Sequence, residues 1–315
     1  VLYTQMADIG YPYDQNWTIM PFLGEFFALM TAALWSVSSV LFTEATRRIG
    51  SVRVNVTRLI LGIFLLILVI WIWDIERDLT GTQVINLALS GLVGLAIGDS
   101  FLFKAFEQIG ARLSMLILSS APGIAGVAAY LFLGEGLPLL AVAGMILTIA
   151  GVSLVISERG AQAGHPRKIR WTGIVYALVG AAGQGIGLIF AKLAFNEGDI
   201  NGFVAAFVRI SGSLIFLFPA AVLAGKLQRP IATLNEERKA FFLTGVGSVV
   251  GPFLGISFSL IALANTKVGV AATLMATVPI IMLPLIRFVY KEILSWQAIV
   301  GAFVAVAGIA MLFLR

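Results

Sequence analysis

The chain has 315 residues, of which 59% are hydrophobic and only 12% charged, with a net charge of +5 and a mean hydropathy of +1.00. Soluble domains hold about 45–50% apolar and about 25% charged residues, so a soluble enzyme is excluded at the outset. The absence of cysteine removes disulfides, thiolate metal sites and a cysteine nucleophile, and one histidine, His165, is too few for a histidine triad, a zincin motif or a haem ligand pair.

Residues 1–21 carry Tyr11, Tyr13 and Trp17 among Asp14, Gln15 and Asn16, and are expected to form a polar-aromatic surface tail. They lack a basic stretch leading into an apolar run and a small-residue cleavage site, so no removable signal peptide is expected. From residue 22 onward, ten apolar runs are each long enough to cross the hydrocarbon core, which takes about 20 residues. They cover 22–43, 54–73, 84–106, 112–133, 137–157, 171–192, 202–224, 240–263, 268–289 and 295–314, and are numbered here as spans 1 to 10. Because they are continuously apolar rather than alternating, they predict helices and not the strands of a barrel. The connections are short; the longest, 158–170 and 225–239, leave no room for a soluble domain.

The second half of the chain repeats the first. At an offset of 157 residues, Gly94 meets Gly251, Gly98 meets Gly255, Pro122 meets Pro279, Glu135 meets Glu292, Gly144 meets Gly301 and Gly151 meets Gly308. Nearer the N-terminus the offset shrinks, so that Arg58 meets Arg209 and Gly24 meets Gly173. Two five-helix repeats, 22–157 and 171–315, joined by a linker at 158–170, are the predicted organisation.

Basic residues divide unevenly between the two sides. Fifteen Lys and Arg lie in or beside the connections after odd-numbered spans, and four lie on the other side, with Asp74, Glu76, Asp78, Glu197 and Asp199; Arg58 and Arg209, within spans, complete the 21. The positive charge therefore orients the chain in a membrane and does not mark a nucleic-acid surface. The positive-inside rule puts both termini outside. An odd number of spans per repeat turns the halves upside down relative to each other, an arrangement transporters use to build a substrate site between them. The predicted fold is thus all-α and integral to the membrane: ten transmembrane helices from two inverted repeats.

Ala33-Leu34-Trp35-Ser36 in span 1, an arginine early in span 2, Leu133-Gly134-Glu135 closing span 4, and Gly144 and Gly151 in span 5 together resemble the EamA-type branch of the drug/metabolite transporter superfamily. The resemblance covers nearly all of 22–314. It implies ten helices and alternating access around a central cavity, with substrates from amino acids and other metabolites to toxic compounds. The second copy is degenerate: Gln184 stands where span 1 has Trp35, and Lys291-Glu292 where the first copy has Gly134-Glu135.

Several residues are candidates for the site. Asp99 lies inside span 3, where a carboxylate costs about 2.5–3.5 kcal/mol to insert; it either faces a cation, a proton or a substrate amine, or bonds structurally to a neighbour such as Arg58. Arg58 and Arg209 suit an anionic substrate group, although each is near enough to a helix end to snorkel to the headgroups. Trp35 and Gln184 sit at equivalent mid-membrane points and are expected to wall the cavity. The glycines around Gln184 superficially resemble a phosphate loop, but without a preceding strand they are read as helix packing. Ser120 and Thr277 each precede a proline by two residues and are expected to line the cavity; Pro122 and Pro279 free backbone carbonyls, which either hinge spans 4 and 9 and face the cavity or form static kinks satisfied by those hydroxyls. Glu135 and Glu292 are expected in the gating network.

The sequence therefore predicts a secondary transporter of the inner membrane that moves a small polar or amphipathic metabolite, such as an amino acid, outward. It needs no cofactor or metal. Its partners are its substrate, membrane lipid and a coupled proton or counter-substrate, without nucleic acid. An intramembrane enzyme acting on a lipid-linked substrate is the rival reading, distinguished by conversion without vectorial movement, and a channel the third, distinguished by flux far above carrier turnover.

Overall fold

A computed structural model describes residues 22–133, 138–161, 170–228, 236–266, 268–291 and 295–313. The tail 1–21, most of the linker, Glu135 and Glu292 lie outside the described residues.

In a hydrocarbon core every backbone N–H must be satisfied within its own segment, and these apolar sequences do so as helices. Spans 1 and 2 are Leu23–Ile49 and Ser51–Ile72. The sequence places a loop at 44–53, yet both helices run through it until they meet at Gly50. There φ is 85°, a conformation that favours glycine, and the Gly50 N–H donates to the Thr46 carbonyl at 2.9 Å. Arg47, Arg48 and Arg53 thus sit on helix ends and not in a loop. Span 3 starts at Gly81 behind a capping box formed by Thr80 and Gln83. It turns into span 4 at Gly110, again at positive φ, 79°. Span 4 is broken a second time at Ser119 and Ser120 before Ala121–Leu133, and span 9 is broken likewise between Val268–Met275 and Val278–Tyr290. Spans 5, 6, 7 and 10 are Leu139–Ala161, Trp171–Asn196, Gly202–Leu223 and Trp296–Phe313, and span 8 is Arg238–Asn265.

Packing follows the internal repeat. Span 1 lies along span 8, and span 6 along span 3; span 2 packs on span 7, and span 5 on span 10. Small residues permit this closeness. A methyl group added at Gly151 would lie 2.6 Å from the Gly301 carbonyl oxygen, and one at Gly308 would lie 2.5 Å from that of Gly144. Large apolar side chains such as Phe64, Ile67, Ile146, Ile215 and Phe303 face outward, and Trp71, Trp73, Trp171 and Trp296 are exposed at helix ends, the arrangement of a lipid-facing belt with interfacial aromatics.

Spans 3 and 8 each contain a π-helical stretch, Gly91–Gly98 and Val249–Gly255. They hold the matched pairs Gly94/Gly251 and Gly98/Gly255. Such stretches are rare and frequent at functional sites. Here they bracket the centre of the molecule.

Candidate functional site

The cavity between the repeats, about 160 Å³, is lined by residues from spans 1 to 4 and 6 to 9, among them Trp35, Arg58, Asp99, Pro122, Gln184 and Arg209. Its polar centre is one connected network. Asp99 is the first residue after the π stretch of span 3, roughly 15 Å from the Gly110 turn at 1.5 Å per residue. It is 4% exposed. One carboxylate oxygen accepts from Arg58 Nη2, and the other from Gln184 Nε2.

Arg58 therefore turns inward and does not snorkel. Its Nε donates to Asn55 Oδ1 at 2.9 Å, and its guanidinium lies over the Phe103 ring at 4.6 Å and the Phe42 ring at 5.6 Å. Asn55 in turn donates to the Leu95 carbonyl at 3.3 Å and Ser100 Oγ at 3.1 Å, tying span 2 to span 3. Sequence reasoning missed Asn55, although a polar residue three positions before a buried arginine shares its helix face. Its equivalent in the second repeat is Ala206, so no repeat match draws attention to it.

Gln184 also donates to the Gly94 carbonyl at 3.3 Å, and its Oε1 accepts from Arg209 Nη2 at 3.4 Å. Trp35 occupies the symmetric place: a methyl group at Gly255 would lie 2.8 Å from its indole, and one at the matching Gly98 would lie 3.3 Å from the Gln184 backbone nitrogen. Span 1, with Trp35, Ser38 and Phe42, and span 6, with Gln184, thus face the π stretch of the opposite repeat. The counterpart of Asp99 is Ile256, so the charge is carried on one side of the pseudo-symmetric pair.

Ser120 and Thr277 stand differently from the expectation that they line the cavity. Their hydroxyls donate to the carbonyls of Ile117 at 2.6 Å and Leu274 at 2.7 Å, within their own helices, and neither belongs to the cavity wall. Pro122 and Pro279 each stand at the second position of a new helical segment, so the spans are interrupted rather than kinked. Pro122 reaches the cavity; Pro279 is buried beside it, behind Val278.

The two ends of the cavity differ. A second hollow of about 850 Å³, bordered by Glu76, Asp78, Lys192 and Asp199, shares Leu188 and Leu263 with the central one. Toward the basic side, Phe42, Phe103, Phe106, Met115 and Met282 form a buried cluster that continues to Ile49 and Ile286 near the ends of spans 1 and 9. Arg48 and Glu237 pair across spans 1 and 8 on that side at 3.5 Å.

A profile of the EamA-like transporter family matches residues 22–157 and again 171–314. No curated protein matches the chain. Among solved structures, one crystal structure of a protein superposes with a TM-score of 0.65 at 16% identity, covering 91% of this chain and 94% of the other. A likeness at that identity is one of fold alone.

Proposed function

The chain belongs to the EamA-like transporter family, and on that premise we propose that it moves a small polar or amphipathic metabolite outward by alternating access. The observation that carries this reading is the unequal ends of the central cavity. Leu188 and Leu263 border both the cavity and the acidic hollow, while the opposite end is filled by Phe42, Phe103 and Phe106. That is the form of a carrier caught open to one side.

The charge distribution supports an exterior acidic side with both termini there, and on that orientation the arrangement reads as outward-open. Pro122 and Pro279, each opening the second half of a broken span, are the proposed hinges. The polar network joins spans 2, 3, 6 and 7, and so couples both repeats to whatever occupies the centre. Coupling to a proton or counter-substrate fits the same reading.

The test is uptake and efflux in proteoliposomes with a panel of amino acids and other small metabolites. Saturable movement with counterflow is the expected result. Chemical conversion of a lipid-linked substrate without movement, or conductance at channel rates, would overturn it.

A further inference from the structure

The buried network holds two guanidinium groups and one carboxylate. Arginine stays charged in proteins, so the centre carries one positive charge in excess. Each oxygen of Asp99 already accepts a hydrogen bond, one from Arg58 and the other from Gln184. Arg58 is occupied too, by Asp99, Asn55 and two aromatic faces.

Arg209 is not. Among the described residues its one hydrogen bond is the 3.4 Å contact with the Gln184 amide oxygen, and its buried Nε has no partner. Its exposure is 5%, and it lines the cavity. Its side chain is turned into the cavity and not toward the headgroups, and the helix that carries it is pressed against the π stretch of span 3. A methyl group at Gly91 would lie 1.7 Å from the Arg209 carbonyl oxygen. Asp99 attracts the Arg209 guanidinium but is shared with Arg58, so one cation is in excess, and an excess cation in a membrane interior is costly and marks a candidate ligand position.

We propose that Arg209 receives the negative charge of an apolar organic acid, and that the cavity prefers such a monocarboxylate to the corresponding amine or zwitterion. The cavity that Arg209 lines is mainly apolar: beside Ser38, Ser39, Ser119 and Ser259, the side chains of Trp35, Leu188, Ile256, Met275 and Val278 offer a surface for a hydrophobic body. A substrate ammonium would find the described carboxylate of the cavity already taken and two guanidinium groups nearby, a repulsive surrounding for a second positive charge. A planar carboxylate matches the guanidinium fork, and a neutral amide of equal shape does not.

The inference rests on the transport reading, and the two can fail separately. Calorimetric titration of the purified, detergent-solubilised protein would compare 3-phenylpropionate, 3-phenylpropionamide, 2-phenylethylamine and L-phenylalanine. The acid should bind about tenfold or more tightly than the other three, the size expected for a hydrogen bond to a charged group. Arg209→Gln should bring acid and amide to equal affinity, and Arg209→Lys should keep part of the preference. Should Arg209→Gln fail to fold, the ranking in the wild-type protein decides alone. Equal or better binding of the amide, amine or zwitterion overturns the inference, as does an acid preference unchanged in Arg209→Gln or no binding by any of the four. Flux of a panel member through proteoliposomes without regard to charge upholds transport and overturns the role of Arg209. Charge-dependent binding without flux of any bound compound does the reverse.

Discussion

Replacing Asp99 with asparagine keeps the shape of the side chain and removes its charge. In the native network both carboxylate oxygens are occupied, and Arg58 has no other acidic partner among the described residues. Removing one member of a buried ion pair costs about 3–5 kcal/mol, because the remaining charge is left uncompensated. Here two guanidinium groups, Arg58 and Arg209, would share one cavity without a carboxylate. Against a total stability on the order of 5–15 kcal/mol, that loss is large. Adding Arg58→Gln to the Asp99→Asn variant should recover most of it, since a neutral amide pair needs no counter-charge. Unfolding of purified wild-type, single and double variants, followed by circular dichroism, gives the coupling energy directly. A loss below about 1 kcal/mol in Asp99→Asn, or a double variant less stable than that single one, would refute the assignment of Arg58 and Asp99 as a mutually compensating pair.

Because the chain has no native cysteine, single cysteines report topology cleanly: one at Asp199 should label from outside with an impermeant thiol reagent and one at Lys226 only after lysis, and the reverse pattern would invert the orientation. Pro122→Ala and Pro279→Ala should shift the accessibility of cavity cysteines in opposite senses, and equal shifts would remove the paired hinges. Gly91→Ala should lower stability by about 1–3 kcal/mol or more through overpacking, read as a fall in unfolding temperature; an unchanged temperature would mean that spans 3 and 7 are not locked there. Phe103→Ala should raise labelling of a cysteine at Ser38 from the basic side, and unchanged labelling would show that the aromatic cluster is not the closure.

The spacing of glycines and prolines made the helical repeat readable, because residues that allow close backbone contact are needed at the same places in both copies. Gly144, Gly151, Gly301 and Gly308 join spans 5 and 10, and Pro122 and Pro279 begin matching half-spans. The π stretches were not readable, since a glycine pair four residues apart in an apolar run has the same appearance in a regular helix. The turn at Gly50 was hidden for a related reason. In the sequence, the charges at 44–53 have the look of a loop, whereas Glu44, Arg47 and Arg48 continue a helix. At the site, the choice between Arg58 pairing with Asp99 and Arg58 reaching for headgroups depends on side-chain direction, which hydropathy does not encode. The hydroxyls of Ser120 and Thr277 illustrate the same limit, because each satisfies a carbonyl one turn back in its own helix.

The aromatic closure has an energetic consequence. Were the two repeats identical in sequence, exchanging their conformations would produce a mirror state of equal free energy, and the empty carrier would spend half its time facing each way. This chain departs from that degeneracy: Phe42, Phe103 and Phe106 have Ala191, Leu260 and Leu263 as their counterparts. The tilted ring contacts Phe42–Phe103 and Phe103–Phe106, each with centroids 5.3 Å apart, have no equivalent at the symmetry-related positions. At about 0.5–1.5 kcal/mol per aromatic pair, these two pairs contribute about 1–3 kcal/mol to the arrangement seen here, a factor of roughly 5 to 150 against which the Phe27–Phe258 and Phe203–Phe253 contacts on the other side are set. On the proposed alternating-access reading, the empty carrier is then biased to face the acidic side, and its return to the other side is the step that a bound ligand or coupled ion would drive.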